Sequence, residues 1–197
     1  MKKQILRVAQ ILNRGGVIAY PTDTVYGIGT NALNSEAVQR IYQVKQRPLD
    51  LPLSVAVLGK SMAQKVAFLN QQAQRLIETF WPGALTIIVK KKPVIPHVVT
   101  AGTNLVGLRA PDHIVPLSIL KFSEIPIIST SANKHGNPPC LNIECIRSSF
   151  GDQVDLIIEG EHGMNIPSTV INVTTNPPVI VRKGSITESM IEQSLAS

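Results

Sequence analysis

Polar side chains that can bind anions are concentrated in a few short segments, near the ends of predicted strands and helices. Hydroxyl and amide groups donate hydrogen bonds to phosphate or carboxylate oxygens without adding charge, whereas lysine and arginine add fixed positive charge. The segments are 21–27 (PTDTVYG), 45–48 (KQRP), 107–109 (GLR), 129–133 (STSAN), 167–170 (PSTV) and 182–184 (RKG). Since open α/β sheets place ligands where strands end, we expect these segments to form one pocket.

No pattern in the chain pairs a protein nucleophile with a general base. The four histidines are scattered and include no His-x-x-x-His pair, so we expect no metal held by the protein. Cys140 and Cys145 lack the Cys-x-x-Cys spacing and are interpreted as buried, inert thiols in a reducing compartment. The pocket therefore suits a reaction in which the substrate is the nucleophile and the protein neutralises phosphate charge, such as nucleotidyl transfer with Mg²⁺ on the phosphates.

A glycine-rich segment follows the first predicted strand. Residues 27–32 (GIGTNA) match the Gly-x-Gly-x-x-Gly/Ala fingerprint of dinucleotide-binding folds. However, the preceding strand ends at Pro21, the helix cap follows the motif, and the next strand is followed by Leu58-Gly59-Lys60 instead of an acidic residue. A dinucleotide site is therefore not favoured.

Composition predicts a folded domain. The chain has 197 residues, of which 44% are hydrophobic and 16% charged, which excludes a disordered or fibrous protein. No run reaches the roughly 18 apolar residues of a membrane span, and the start resembles an amphipathic helix more than a signal peptide. We therefore expect a soluble, cytoplasmic protein without membrane contact.

The positive charge is concentrated in the middle of the chain. The net charge is +6, but ten basic and two acidic residues fall between Arg40 and Arg109, which gives that stretch +8. Such a concentration indicates a polyanionic ligand such as a nucleotide or RNA. The alternative is an ordinary lysine-rich surface.

Helical and strand patterns alternate along the chain. Helices are predicted over 5–13, 34–46, 61–69, 70–80, 112–122, 142–150 and from 187 onward. Strands are predicted over 17–20, 53–58, 85–89, 106–109, 125–130, 154–158, 169–173 and 179–182. No linker or repeat interrupts them, so we predict a single α/β domain over 1–197, built on a twisted mixed sheet flanked by helices.

The polar segments, in this order, resemble the YrdC-like family of threonylcarbamoyl-adenylate synthases. Residues 81–86 (WPGALT) also match, and the matching segments extend over almost the whole chain. The length and residues 136–140 (GNPPC) are similar to the short bacterial branch of the family, known as the TsaC type. The resemblance implies a YrdC-like fold with a deep, positively charged cavity.

The resemblance also implies a reaction. L-Threonine, bicarbonate and ATP would yield L-threonylcarbamoyl-AMP and pyrophosphate: the threonine amine attacks bicarbonate, and the carbamate then attacks the α-phosphorus. ATP would carry Mg²⁺ on its phosphates. The product would supply the t⁶A modification of tRNA through a separate transfer complex of the TsaD, TsaB and TsaE type.

The resemblance assigns roles by position. Lys45 and Arg47 are implied to be catalytic. The implied ATP-binding residues are Lys45, Arg47, Ser131, Asn133 and Arg182. The implied threonine-binding residues are Thr24, Arg109, Ser129 and Ser168. The chain departs from patterns common among relatives at Leu51, Ala56, Leu105, Pro139 and the Lys134-His135 pair.

Two other functions remain open from the sequence. The first is a non-catalytic module that binds double-stranded RNA or tRNA in the same basic cavity, since shape and phosphate contacts need few aromatic residues. The second is a carbamoyl or acyl transferase domain of the maturation proteins that share this fold. Those proteins carry zinc-finger cysteine clusters, which this sequence lacks. The role of Asp23, which could orient an amine or cap its own turn, is also open.

Overall fold

The computed structural model describes residues 2–161, 163 and 166–196, so His162 lies outside the described residues. The α-helices are α1 (Lys2–Asn13), α2 (Ser35–Lys45), α3 (Lys60–Val66), α4 (Gln71–Phe80), α5 (Ile114–Ser123), α6 (Ile143–Phe150) and α7 (Glu188–Ala196). The strands are β1 (Ile18–Tyr20), β2 (Gly27–Gly29), β3 (Ser54–Ala56), β4 (Ala67–Phe68), β5 (Leu85–Lys91), β6 (Leu105–Arg109), β7 (Ile127–Ile128), β8 (Thr130–Ser131), β9 (Leu156–Ile157), β10 (Thr169–Asn172) and β11 (Val179–Arg182). Short 3₁₀ helices span His97–Thr100 and Gly151–Gln153.

Asparagine side chains begin three of the helices. The Oδ1 atoms of Asn34, Asn70 and Asn142 accept hydrogen bonds from backbone N–H groups in the first turns of α2, α4 and α6. Such caps satisfy N–H groups that have no partner within the helix. Helix α5, predicted over 112–122, begins two residues later: His113 is its cap, and its Nδ1 accepts from Val115 N at 3.2 Å.

The predicted mixed sheet is divided into two hydrogen-bonded sheets. The first has the order β8-β2-β1-β9, with β1 antiparallel to β2 and parallel to β9. The second has the order β11-β10-β5-β6-β3-β7, and β4 pairs with β5 outside this path. An isolated bridge between Asn31 and Ile127 connects the two sheets. The predicted α/β class is therefore confirmed, while the single domain over 1–197 stays a prediction.

Strand β2 corresponds to the rejected dinucleotide motif. Residues Gly27–Gly29 form this strand, antiparallel to β1, instead of a loop at a helix N-terminus. A Cβ atom on Gly29 would lie 2.4 Å from the carbonyl oxygen of Ile128, so the close approach of β7 requires glycine there. The glycines therefore serve strand packing.

Two hydrophobic clusters hold helices against the sheets. The smaller cluster packs Val8 and Leu12 of α1 and Ile119 of α5 against Ile18 of β1. The larger cluster includes Ile87 and Leu108 from the centre of the second sheet, with Ile41 of α2 and Leu76 of α4. Burial of such side chains contributes about 1.5–3 kcal/mol each. Among the described residues, no helix is long and apolar enough to span a membrane.

The mixed pairing of the second sheet brings polar residues to one edge. Strands β5 and β10 are parallel, so Thr86 near the start of β5 lies beside the start of β10. Strands β6 and β11 run antiparallel to these neighbours, so they end at the same edge, at Arg109 and Arg182. The edge therefore combines the beginnings of two strands with the ends of two others.

Candidate active site

A cavity of about 500 Å³ is lined by residues from both sheets. Its lining residues are Thr22, Thr24, Val25, Tyr26, Gly27, Arg47, Pro52, Leu53, Ser54, Thr86, Arg109, Ser129, Thr130, Ser131, Pro139, Pro167, Ser168 and Arg182. Seven of the nine predicted site residues belong to this set; Lys45 and Asn133 do not. The described lining contains three arginines and no carboxylate, a composition that favours an anionic ligand.

Arg109 is fixed by three contacts. Its Nε donates to Gly83 O at 3.0 Å, one terminal nitrogen donates to Thr24 Oγ1 at 3.3 Å, and the other donates to Asp23 Oδ2 at 2.6 Å. A guanidinium has five N–H donors, so two remain without a partner among the described residues. The Arg109 side chain is only 11% exposed and lines the cavity, so these three contacts hold the guanidinium in place at the cavity wall.

Asp23 forms an ion pair with Arg109, and whether it also orients an amine stays open. Its side chain is 14% exposed, and its Oδ1 has no hydrogen-bond partner among the described residues. The neighbouring turn is closed by Thr22, whose hydroxyl donates to Val25 O at 2.7 Å and lies 3.0 Å from Thr24 Oγ1. The turn thus holds the Thr24 hydroxyl beside the guanidinium.

Ser168 forms hydrogen bonds with a second cavity arginine, Arg182, and with Thr86. Arg182 donates from Nε and Nη2 to Ser168 O, at 3.1 and 2.9 Å, and from Nη2 to Ser168 Oγ at 2.9 Å. The same hydroxyl lies 2.9 Å from Thr86 Oγ1. The two N–H groups of Arg182 Nη1 have no partner among the described residues. Burial lowers the pKa of Arg182, and the like charge of Arg109 lowers it further. An anionic ligand would relieve this repulsion.

Ser129 is supported from below by Tyr20. The Tyr20 hydroxyl donates to Ser129 Oγ at 3.3 Å, and burial raises the pKa of Tyr20 to about 12, so the phenol stays protonated. The backbone N–H of Ser129 donates to Ser54 O at 2.9 Å. Strand β1 and strand β3 therefore both fix the position of Ser129.

Arg47 lies just beyond the end of α2. Its Nε donates to Leu51 O at 3.2 Å and one terminal nitrogen donates to Pro52 O at 3.0 Å. Three N–H groups remain without a partner in the described part of the chain. Burial lowers the pKa of this guanidinium, while the nearby Tyr42 and Asp50 raise it.

Lys45 and Asn133 lie behind the wall of the cavity. Lys45 is 1% exposed, and its Nζ donates to the carbonyl oxygens of Ser131 and Asn133. Asn133 Oδ1 accepts from Ser131 Oγ at 2.5 Å. Burial lowers the pKa of Lys45 to about 7, and Arg47 adds to this effect. Direct contact of either residue with a ligand stays a prediction.

Several lining residues were not predicted as site residues. Thr22, Tyr26 and Thr130 lie inside segments that the sequence had singled out, so their position in those segments was the available signal. Thr86 lies in the matching segment 81–86, but the resemblance gave it no role. Ser54 begins β3 and reads as an ordinary strand residue, because the pairing that brings it to the cavity is long-range. The described residues contain no group of three or more His, Cys, Asp or Glu side chains that could hold a metal ion.

A second cavity of about 510 Å³ adjoins the first at Tyr26. It is an open groove beside the start of α6. Three glutamates, Glu144, Glu159 and Glu161, line it. These carboxylates make it unsuitable for a polyanion, so phosphates are expected only in the arginine-lined cavity.

The prediction of free thiols is wrong. Cys140 and Cys145 form a disulfide, with Cα atoms 5.4 Å apart and a sequence separation of 5. Because Asn142 caps α6, Cys145 lies in the first turn of the helix and returns to Cys140. The spacing of the two cysteines in the sequence does not predict this geometry. The Cys140 N–H donates to Ala132 O at 2.8 Å, so the disulfide adjoins the segment behind the cavity.

Reduction of this disulfide is expected to lower the free energy of unfolding by about 2 kcal/mol, since it frees a short loop in the unfolded chain. Urea unfolding with and without reductant measures the difference. The double variant Cys140→Ser/Cys145→Ser serves as the control, because its stability should not respond to reductant. Equal stability of the wild type in both conditions would contradict the expectation.

Comparisons with known proteins agree with this geometry. Residues 10–184 match the Sua5/YciO/YrdC family model, which carries the description "Telomere recombination". A threonylcarbamoyl-AMP synthase of Pyrococcus abyssi is 37% identical over 94% of the chain and 55% of the relative. One from Cellvibrio japonicus is 35% identical over 87% of the chain and 92% of the relative.

The fold also matches solved structures. The crystal structure of P. abyssi Sua5 complexed with L-threonine superposes with a TM-score of 0.95 at 35% identity, over 98% of this chain and 58% of that one. The chain thus spans about half the length of the P. abyssi and Bacillus subtilis relatives that it matches.

Proposed function

This chain belongs to the Sua5/YciO/YrdC family, and on that premise we propose that it forms L-threonylcarbamoyl-AMP from L-threonine, bicarbonate and ATP. The observation that supports this most is that three arginines line the cavity together with several hydroxyls, and each arginine has N–H groups with no partner among the described residues. Such a site binds carboxylate and phosphate without supplying a nucleophile. The names of the relatives and the threonine complex of the P. abyssi protein point the same way.

Threonine occupies the end of the cavity around Arg109 in this proposal. Its carboxylate accepts hydrogen bonds from the two N–H groups of Arg109 that have no partner in the described part of the chain. The threonine hydroxyl forms a hydrogen bond with Thr24, Ser129 or Ser168. These three side chains line the cavity and are themselves hydrogen-bonded, so they are held in place before substrate binds. Groups fixed in advance lower the entropy cost of orienting the amine.

ATP occupies the end around Arg47, Ser131 and Arg182, backed by Lys45 and Asn133. The threonine amine forms a bond to the carbon of bicarbonate. The C–OH bond breaks, and the hydroxyl leaves as water with a proton from the amine, which gives the carbamate. A carbamate oxygen then attacks the α-phosphorus, and the bond to the bridging oxygen breaks to release pyrophosphate. The arginines stabilise the charge that develops on the leaving group, and Mg²⁺ enters with ATP as part of the substrate.

Two further elements belong to the proposal. The product supplies the threonylcarbamoyl group of t⁶A in tRNA through a transfer complex of the TsaD, TsaB and TsaE type. Because a protein that uses ATP and supplies a tRNA modification is expected in the cytoplasm, the proposal includes that location. RNA contact is expected at most as a step in handing over the product.

Pyrophosphate release from ATP tests the proposal. Release should require both L-threonine and bicarbonate, and the product should show the mass of threonylcarbamoyl-AMP. Release that is absent, or indifferent to threonine, would refute the synthase. Steeply salt-dependent RNA binding without any such turnover would instead support the RNA-binding module.

Thr86 is expected to contribute to threonine binding through its hydrogen bond with Ser168. Replacement with valine keeps the shape but removes the hydrogen bond to Ser168, so Ser168 loses one of the contacts that orient its hydroxyl. A loss of about 1 kcal/mol raises the KM for threonine roughly fivefold, while the KM for ATP changes little. Kinetics with each substrate varied in turn measure the effect. Thr86→Ser keeps the hydroxyl and should restore the KM; equal defects in both variants would contradict the expectation.

A further inference from the structure

The side-chain ammonium and the backbone carbonyl of Lys45 both form hydrogen bonds with one loop, residues 131–135. The ammonium donates to Ser131 O, to Asn133 O at 2.8 Å and to Asn133 Oδ1 at 3.3 Å. The carbonyl oxygen of Lys45 accepts from His135 N at 2.7 Å. An ammonium has three donors, so the described contacts use its whole capacity inside the protein.

The charge of Lys45 is enclosed by the protein. Lys45 is 1% exposed and has no salt-bridge partner among the described residues. A buried ammonium is costly unless hydrogen bonds compensate it, and here three oxygens of the loop do so. Burial and Arg47 lower the pKa of Lys45 to about 7, which agrees with a charge that only these oxygens offset.

The loop needs such a support. Its wall residues Thr130 and Ser131 form strand β8, which has only two residues and pairs with β2 alone. Ser131 Oγ donates to Asn133 Oδ1, the atom that also accepts from Lys45. The position of the Ser131 hydroxyl in the cavity is thereby linked to the ammonium behind it.

We propose that Lys45 is a positioning residue that holds the 131–135 loop against α2, and that it fixes Ser131 at the nucleotide end without itself touching the phosphates. The kinetic consequences rest on the proposed function, whereas the structural consequence does not. In this arrangement Arg47, which lines the cavity, makes the ionic contact with phosphate. Lys45 fixes the shape of the wall that phosphate meets.

Lys45→Met tests the inference, because methionine is similar in length and has neither charge nor donors. In the nucleotide-free protein, amide hydrogen exchange at Ala132 and His135 should become at least tenfold faster. Lys91→Met is the matched control, since Lys91 also donates to a backbone carbonyl, Ile95 O at 2.7 Å, outside the cavity. It should leave exchange in the loop unchanged. Unchanged exchange in Lys45→Met would overturn the proposal.

A double-mutant cycle with Ser131→Ala separates positioning from direct contact. If Lys45 acts through Ser131, the rise in KM for ATP caused by Lys45→Met should be much smaller in the Ser131→Ala background. The KM for threonine should stay near the wild-type value. Strictly additive effects would show a contact with ATP that does not involve Ser131, and would overturn the inference.

Two provisions keep the outcome clear. If Lys45→Met does not fold, Lys45→Gln, which lacks the charge and has two donors instead of three, should still accelerate exchange in the same loop. If the wild type shows no threonine-dependent pyrophosphate release, the proposed function fails, but the exchange measurement still decides the role of Lys45.

Discussion

Replacing Arg109 with lysine is expected to raise the KM for L-threonine by roughly 10–100-fold, while the KM for ATP stays near the wild-type value. Lysine keeps the positive charge beside Asp23 but loses the planar pair of N–H groups that a carboxylate accepts. Hydrogen bonds to charged groups contribute about 1.5–3 kcal/mol, which corresponds to this range. Pyrophosphate release at varied threonine concentration measures the change.

Lysine is preferred to alanine for a structural reason. Arg109 and Asp23 are 11% and 14% exposed, so Arg109→Ala would leave a nearly buried carboxylate without its partner, at a cost of about 3–5 kcal/mol. Arg40→Lys is the matched control, because Arg40 also binds an aspartate, Asp155, at 2.6 Å but lies outside the cavity. A wild-type KM in Arg109→Lys would show that the threonine carboxylate binds elsewhere.

Much of the architecture could be predicted from local signals. Asn34 and the apolar periodicity that follows it predicted a helix over 34–46, which agrees with the observed α2 to within one residue at each end. Strand β2 was missed because it has three residues, two of them glycines, and depends on pairing with β1 and β8. The division into two sheets likewise follows from long-range pairing, which residue patterns do not encode.

The candidate site was predictable to a similar degree and for the same reason. Segments dense in hydroxyls and cations predicted one pocket, and the resemblance to the family assigned the seven residues that line it. The orientation of a side chain depends on its neighbours in space, so the pairing of Asp23 with Arg109 could not be predicted. The hydrogen bonds of Lys45 to Ser131 and Asn133 could not be predicted either, because these residues follow it by 86 and 88 positions in the chain.

Replacing Arg47 with glutamine is expected to reduce ATP turnover by about 10²–10³-fold, the usual effect of removing a fixed group that stabilises transition-state charge. Arg47 lines the cavity, and the described residues leave three of its N–H groups unpartnered. The local fold should survive, because Leu51 O also accepts from the Tyr42 hydroxyl at 3.0 Å. Glutamine can still donate one hydrogen bond to this carbonyl, so the substitution removes mainly the charge.

Arg75→Gln is the control for this variant. Arg75 also donates to a backbone carbonyl, Leu195 O at 2.8 Å, but lies outside the cavity, so its loss should leave turnover unchanged. If Arg47 binds phosphate, Arg47→Gln should lower kcat and raise the KM for ATP, while the KM for threonine stays near the wild-type value. A defect confined to threonine would assign Arg47 to the other end of the cavity. Because Arg47 follows α2 and Arg109 ends β6, on separate elements, the two ends can be tested independently.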